Sequence, residues 1–333
     1  MSGGDAVKLR DTRPLPAAQR EALAHARRLC WWTLLWMSLV SAMMYAVMGG
    51  SQTMKTAFIE DMLSLLPPVA FLVASRFQAK PVDQEYVNGR TRAFDINFLI
   101  AGAALTGFGL MLVWDGLHTL ATATHPVIGT VSIGDTVVWK GWLMIGALLL
   151  SAIPPAILGR RKLKLSRTLA LKPLHADADT GKADWSTALA GVAGIVGIGF
   201  GFWWADAAAA LFISGSVLHD GLSNLKGAVR DMHDARPQRI DRSEEDPLVG
   251  RVRDAVCALD WVQACRVRFH EEGFRLCGVV FVRAAAEATT PERLRQAHDA
   301  ARAVHWRIDE VIVTLLGEEP TDSSEEGGTA ARD

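Results

Sequence analysis

Cysteine is scarce. The chain has four in 333 residues, Cys30, Cys257, Cys265 and Cys277, with no CxxC pair and no regular spacing. That excludes a disulfide framework and a ribbon-type zinc site, and it reads as reduced thiols in a cytosolic segment. An excess of one charge is also lacking: a formal net charge of −1 gives no global field to steer nucleic acid or an acidic partner. No nucleophile is paired with a base and no phosphate-binding glycine loop occurs, so a membrane enzyme finds little support. Nor does a small-residue cleavage site close the first apolar run, although Arg10, Arg13, Arg20, Arg27 and Arg28 precede it. That run is read as a retained span and not a removed signal peptide.

Apolar residues are what the chain has in plenty. Half the residues are hydrophobic and the mean hydropathy is +0.17, with most apolar residues between Leu29 and Leu225. A hydrocarbon layer about 30 Å thick takes about 20 apolar residues of helix. That yardstick predicts six transmembrane helices, near Cys30 to Met48, Thr56 to Ser75, Phe94 to Trp114, Val138 to Leu158, Trp185 to Trp204 and Ala205 to Leu225. Trp31, Trp32, Trp36, Trp139, Trp142, Trp203 and Trp204 gather near the predicted ends, where an indole favours the headgroup layer. Pro67 and Pro68 are placed to kink the second span.

Basic residues then set the orientation. The N-terminal segment, Arg76/Lys80/Arg90/Arg92, Arg160/Arg161/Lys162/Lys164/Arg167 and Lys226/Arg230/Arg236/Arg239 all fall on one side of a six-span topology, which places both termini in the cytoplasm. Compact loops and an Ala/Arg-rich composition suggest a bacterial inner membrane. After Pro237 the pattern becomes that of a soluble unit: a helix over Leu248 to Leu259, strands over Gln263 to His270 and Phe274 to Arg283, a helix over Pro291 to Val304 and a strand over Asp309 to Leu316. The chain therefore divides into a cytoplasmic segment (1–29), a six-helix transmembrane domain (30–228), a cytoplasmic, ferredoxin-like αββαβ domain (240–317) and an acidic, disordered tail (318–333).

Carboxylates inside the spans carry the chemistry. An ionised Asp at a span centre costs about 2.5 to 3.5 kcal/mol, so it requires a partner, water or a ligand. Glu60 and Asp61 lie in the second span, Asp177, Asp179 and Asp184 at the start of the fifth, and Asp95 and Asp115 bracket the third. Helical spacing aligns Glu60 with Ser64, and Asp177 with Thr180 and Asp184. Two such faces opposed make an oxygen-lined cation site. The plainer reading of each carboxylate is a snorkelling side chain or a pair with a nearby lysine. Depth is an obstacle: in straight upright helices Glu60 and Asp184 would lie at different levels.

With these residues in view, the chain resembles the cation diffusion facilitator family of metal/proton antiporters from about Trp31 to Leu316. The likeness rests on the loop Lys80-Pro81-Val82-Asp83 to Asn88-Gly89-Arg90, on the turn Ala205-Asp206-Ala207 to Ile213-Ser214, and on the αββαβ unit. The resemblance implies a homodimer that moves a divalent metal cation out of the cytoplasm against protons by alternating access, with no bound cofactor. It implies metal ligands at Glu60, Ser64, Thr180 and Asp184. Two of these four positions are not carboxylates and none is His, so Asp61 or Asp177 is a candidate substitute. An all-oxygen set suits manganese, ferrous iron or magnesium better than zinc. A charge lock is implied between Arg92 and Asp234. The family's regulatory metal sites are not expected here, because Tyr86 and Arg90 stand where His would be needed and Ile312 to Leu315 holds no His-x-Asp. Cys265, His270 and Cys277 read as a sheet segment with buried structural thiols. The lost ligands also leave open a non-transporting relative that serves as a membrane-anchored sensor or assembly subunit.

Overall fold

The computed structural model describes residues 13–80, 83–86, 88–125, 127–133, 135–284 and 290–316; the side chains of residues 133 and 180–184 are outside that description. The acidic tail and Pro81 and Val82 of the loop motif therefore lie outside the described residues.

Seven helices form the bundle: α1 (Ala17–Val47), α2 (Gln52–Leu63), α3 (Leu66–Gln78), α4 (Ala93–Ala121), α5 (Lys140–Leu169), α6 (Lys172–Gly199) and α7 (Trp203–Met232). Among the described residues, four segments are long and apolar enough to cross a membrane: α1, α2 with α3 as Gln52–Gln78, α4 and α5; Trp185–Gly199 is a shorter apolar helix. The first half of α6 and the second half of α7 are too polar for that criterion, since they carry Lys172, His175, Asp177, Asp179, His219, Asp220 and Asp231.

At the kink expected from Pro67 and Pro68 the helix is interrupted for two residues, Ser64 and Leu65, which keep helical backbone angles. Neither proline has an N–H to donate back along the helix, so α2 ends at Leu63 and α3 restarts at Leu66 with proline in its first turn. The first helix extends ahead of the predicted span: α1 begins at Ala17, and Ala22, Leu23 and Ala26 pack in a core with Phe71, Phe94 and Leu174. It also reads Arg160 to Arg167 as a loop, whereas α5 runs on to Leu169 and buries Lys162 to 3% exposure. A short hairpin, β1 (Thr130–Ile133) and β2 (Thr136–Trp139), precedes α5.

Two anchors set helix depth. Asp206 near the start of α7 is buried and accepts from the Ser51 hydroxyl (2.7 Å), the Gln52 N–H (2.6 Å) and the Thr53 N–H (3.1 Å), so a carboxylate from α7 caps α2. The α4–α7 contact is made by small residues. A Cβ on Gly109 would lie 2.8 Å from Leu218 Cα, and one on Gly221 would lie 2.6 Å from Thr106 N.

The C-terminal unit has the order α8 (Pro247–Cys257), β3 (Ala264–Glu272), β4 (Arg275–Arg283), α9 (Pro291–Ala303), β5 (Ile308–Leu315). β3 and β4 pair antiparallel, and α9 carries the chain over so that β5 pairs parallel with β4. Val252, Val256, Ala297 and Ala301 of the helices cover Leu276, Val280, Val282 and Val311 of the sheet. One expectation fails here. Cys257 and Cys265 form a disulfide, because the end of α8 lies beside the start of β3 with the two Cα atoms 5.9 Å apart. Cys30 and Cys277 are buried and take no part in that disulfide, and Cys265 is only half-buried.

The β3–β4 turn docks into the bundle. Gly273, at φ +65°, donates its N–H to Asp95 Oδ2 at 3.0 Å, and a Cβ there would meet the Thr91 carbonyl at 2.9 Å. Phe274 stacks on Phe94 and Trp306, with centroids 6.0 Å from each. Beside it runs a buried charge network. Lys172 of α6 bonds Glu271 and reaches Asp231 of α7 (3.3 Å), while Arg307 bonds Glu271 (2.7 Å) and Asp246 (2.5 Å).

Candidate cation site

Glu60 and Asp61 sit in the last full turn of α2, where the Asp206 cap and the break before Pro67 fix both ends of the helix. With Ala57 of the same helix they line a cavity of about 10 Å³, together with Leu148 and Ser151 of α5 and Thr187 and Ala188 of α6. That is room for about one water-sized particle. Asp61 is 8% exposed and Glu60 half-buried. α2 and α6 therefore meet at one level, which removes the depth obstacle. The reason is that α6 begins at Lys172, well before its apolar stretch, and so reaches far enough.

Asp184 precedes Thr187 by three residues, one turn along the same face of α6. Its side chain and that of Thr180 lie outside the described residues. Ser64 and Asp177 are elsewhere. Both line a second cavity of about 40 Å³ with Thr33, Met37, Lys162 and Asn224. Asp177 there accepts from Lys162 Nζ at 2.6 Å, with the two side chains 12% and 4% exposed. It thus has a protein cation as its partner and stands apart from the Glu60/Asp61 cavity.

Sequence reasoning missed Ser151. Its carbonyl lacks the usual helical donor because the residue four positions on is Pro155, inside α5. An Xxx-Pro placed four residues after a helical Ser was the readable signal. The cavity thus combines two carboxylates with neutral oxygens from Ser151 and Thr187, a hard-donor set. Among the described residues, no three His, Cys, Asp or Glu side chains gather closely enough to hold a metal ion.

The remaining candidates have protein partners. Arg92 bonds Asp234 at 2.6 Å. Both are substantially exposed, so the pair contributes about 1 kcal/mol at most to stability. Asp83 pairs with Arg90, which with the Tyr86 N–H holds its carboxyl below the ordinary range. Lys55 and Gln52 bond Asp115 at 2.8 and 2.6 Å. A cavity of about 530 Å³ lies between Arg92 and Asp234 and the strand residues His270, Glu272 and Glu310. It mixes both charge signs at an open surface, and the small cavity between helices has the better chemistry for a bare cation.

Long apolar helices define an integral membrane protein, and Glu60 and Asp61 line an interior cavity of its bundle. Over residues 31–232 the sequence matches the family described as the cation efflux transmembrane domain, and the chain belongs to that family of cation transporters. A search of curated proteins returns no match.

Proposed function

We propose that the chain is a homodimeric exporter of a divalent metal cation, driven by protons and working by alternating access across a bacterial inner membrane. The observation that carries this is the cavity in which Glu60 and Asp61 of α2 face Thr187 and Ala188 of α6, one turn from Asp184. In this reading α6 and α7 complete six spans, with both termini and the ferredoxin-like unit in the cytoplasm. Their polar residues face the bundle or the cytoplasm, as intramembrane charges must.

Glu60 or Asp61, together with Asp184, hold the ion, and Ser151 and Thr187 add neutral oxygens. Metal and proton compete for the same carboxylate oxygens, so protons arriving from the opposite side release the ion. The donor set favours manganese, ferrous iron or magnesium over zinc. Dimer formation through the soluble unit is supported by the sheet face opposite α8 and α9, where Ile312 is 55% exposed and Val279 half-buried. The Arg92–Asp234 pair would then brace the ends of α4 and α7 in the dimer.

Purified chain in vesicles with an imposed proton gradient tests the reading. Manganese accumulation well above that of protein-free vesicles is expected. Accumulation equal to theirs, with magnesium and ferrous iron equally inert, would overturn it.

A further inference from the structure

Three cavities follow one another along the bundle. The outermost, about 290 Å³, opens at the Lys172 end of α6, where His175 and Asp179 of α6 face Asp220 of α7 and Asp241. Asn224 lines this vestibule and also the 40 Å³ cavity beyond it. That second cavity reaches Ser64, at the end of the helix that carries Glu60 and Asp61. The third is the cavity at Glu60 and Asp61 themselves.

Lys162 and Asp177 stand in the middle one. At about 1.5 Å per residue they lie about 16 Å from Ser151 along α5, and about 15 Å from Thr187 along α6. Two helices thus give the same separation from the Glu60/Asp61 cavity independently. The vestibule's own basic side chains are committed elsewhere: Lys172 to Glu271 and Asp231, and Arg242 to Asp231 at 2.9 Å. Lys162 is different, since its ammonium is almost wholly buried inside the passage and bonds a carboxylate that lines it. Burying such a pair is costly and adds little to stability compared with apolar side chains, so its retention needs another reason.

The geometry points to the Lys162–Asp177 pair as the inner gate of the cation path. This rests on the proposed transport function. The tethered ammonium fills the passage and neutralises Asp177. A divalent cation coming from the vestibule takes Lys162's place at Asp177 and then moves on past Ser64. The carboxylate exchanges one positive partner for another, so Asp177 is never left without a counter-ion.

The test is thiol accessibility in the full chain, with its four native cysteines replaced by alanine and one reporter added. Ser64→Cys reports beyond the gate, and Asn224→Cys reports on the vestibule side. A small cationic methanethiosulfonate is applied from the vestibule side of membrane vesicles. Removing both partners with Lys162→Ala/Asp177→Ala, which strands no charge, should speed labelling of Ser64→Cys about tenfold or more. Labelling of Asn224→Cys should stay the same, and the exchanged pair Lys162→Asp/Asp177→Lys should slow Ser64→Cys again. Should the double-alanine chain not purify, Lys162→Gln/Asp177→Asn gives the same reading with less change of volume.

An unchanged Ser64→Cys rate would overturn the gate. So would an equal rise at both reporters, which marks general loosening, or an exchanged pair that labels as fast as the double alanine. Labelling does not depend on transport, so the two ideas fail separately. Inert vesicles would end the transport reading, and an unchanged labelling rate would end only the gate.

Discussion

Asp61→Asn is expected to raise the manganese concentration for half-maximal uptake about a hundredfold or more, equivalent to about 2.7 kcal/mol of lost binding. The substitution keeps the shape of the side chain and removes its charge, so the loss reports electrostatics and not packing. The family resemblance implies Glu60 as the ligand, but the structure buries Asp61 more deeply, and a charge costs more where water is scarcer. Glu60→Gln should therefore have the same direction of effect and no greater size. Initial uptake rates into vesicles across a manganese series measure both. Asp61→Asn with wild-type affinity, beside a Glu60→Gln that is silent at saturating manganese, would return the role to Glu60.

The second large effect concerns the docked hairpin. Lys172→Met removes a buried ammonium, 5% exposed, that serves Glu271 and Asp231 at once. Removing one member of a buried pair costs about 3–5 kcal/mol, because the partner is left in a poor solvent. Glu271 keeps Arg307, and Asp231 keeps Arg242, so the low end of that range applies. Thermal unfolding in detergent should show the loss. Lys172→Met/Glu271→Met should recover part of it, since it removes both charges together. A single variant as stable as wild type would mean that the turn is held by Phe274, Gly273 and Asp95 alone.

Much of this architecture was legible in the sequence because it follows from local pattern. The long apolar helices announce themselves by hydropathy, and the αββαβ order by alternation and helical spacing. The break in the second span follows from Pro67 and Pro68, which cannot donate a backbone N–H. What could not be read depends on contacts between residues far apart in the chain. Asp95 looks like a stray acid at a span end and Asp206 like one residue of the turn into the last span, yet one caps a distant turn and the other caps another helix. Lys162 looks like one of five basic residues on a cytoplasmic loop, and only the extension of α5 turns it inward. Alternation placed Cys265 on the core face, but it took the packing of α8 to bring Cys257 beside it.

Of the candidate site, the carboxylates of α2 were legible as charges out of place. That they would oppose the fifth span was expected, but how the two helices reach one level was not, because their relative depth is set by the Asp206 cap and by the length of α6.

Elemental analysis of manganese bound to purified protein, after removal of loosely held ions, tests most directly whether acids from α2 and α6 share one cation. Wild type should retain an ion that Asp61→Asn loses, and Asp184→Asn should lose the same ion on its own. Full retention in a chain carrying both substitutions would contradict the account.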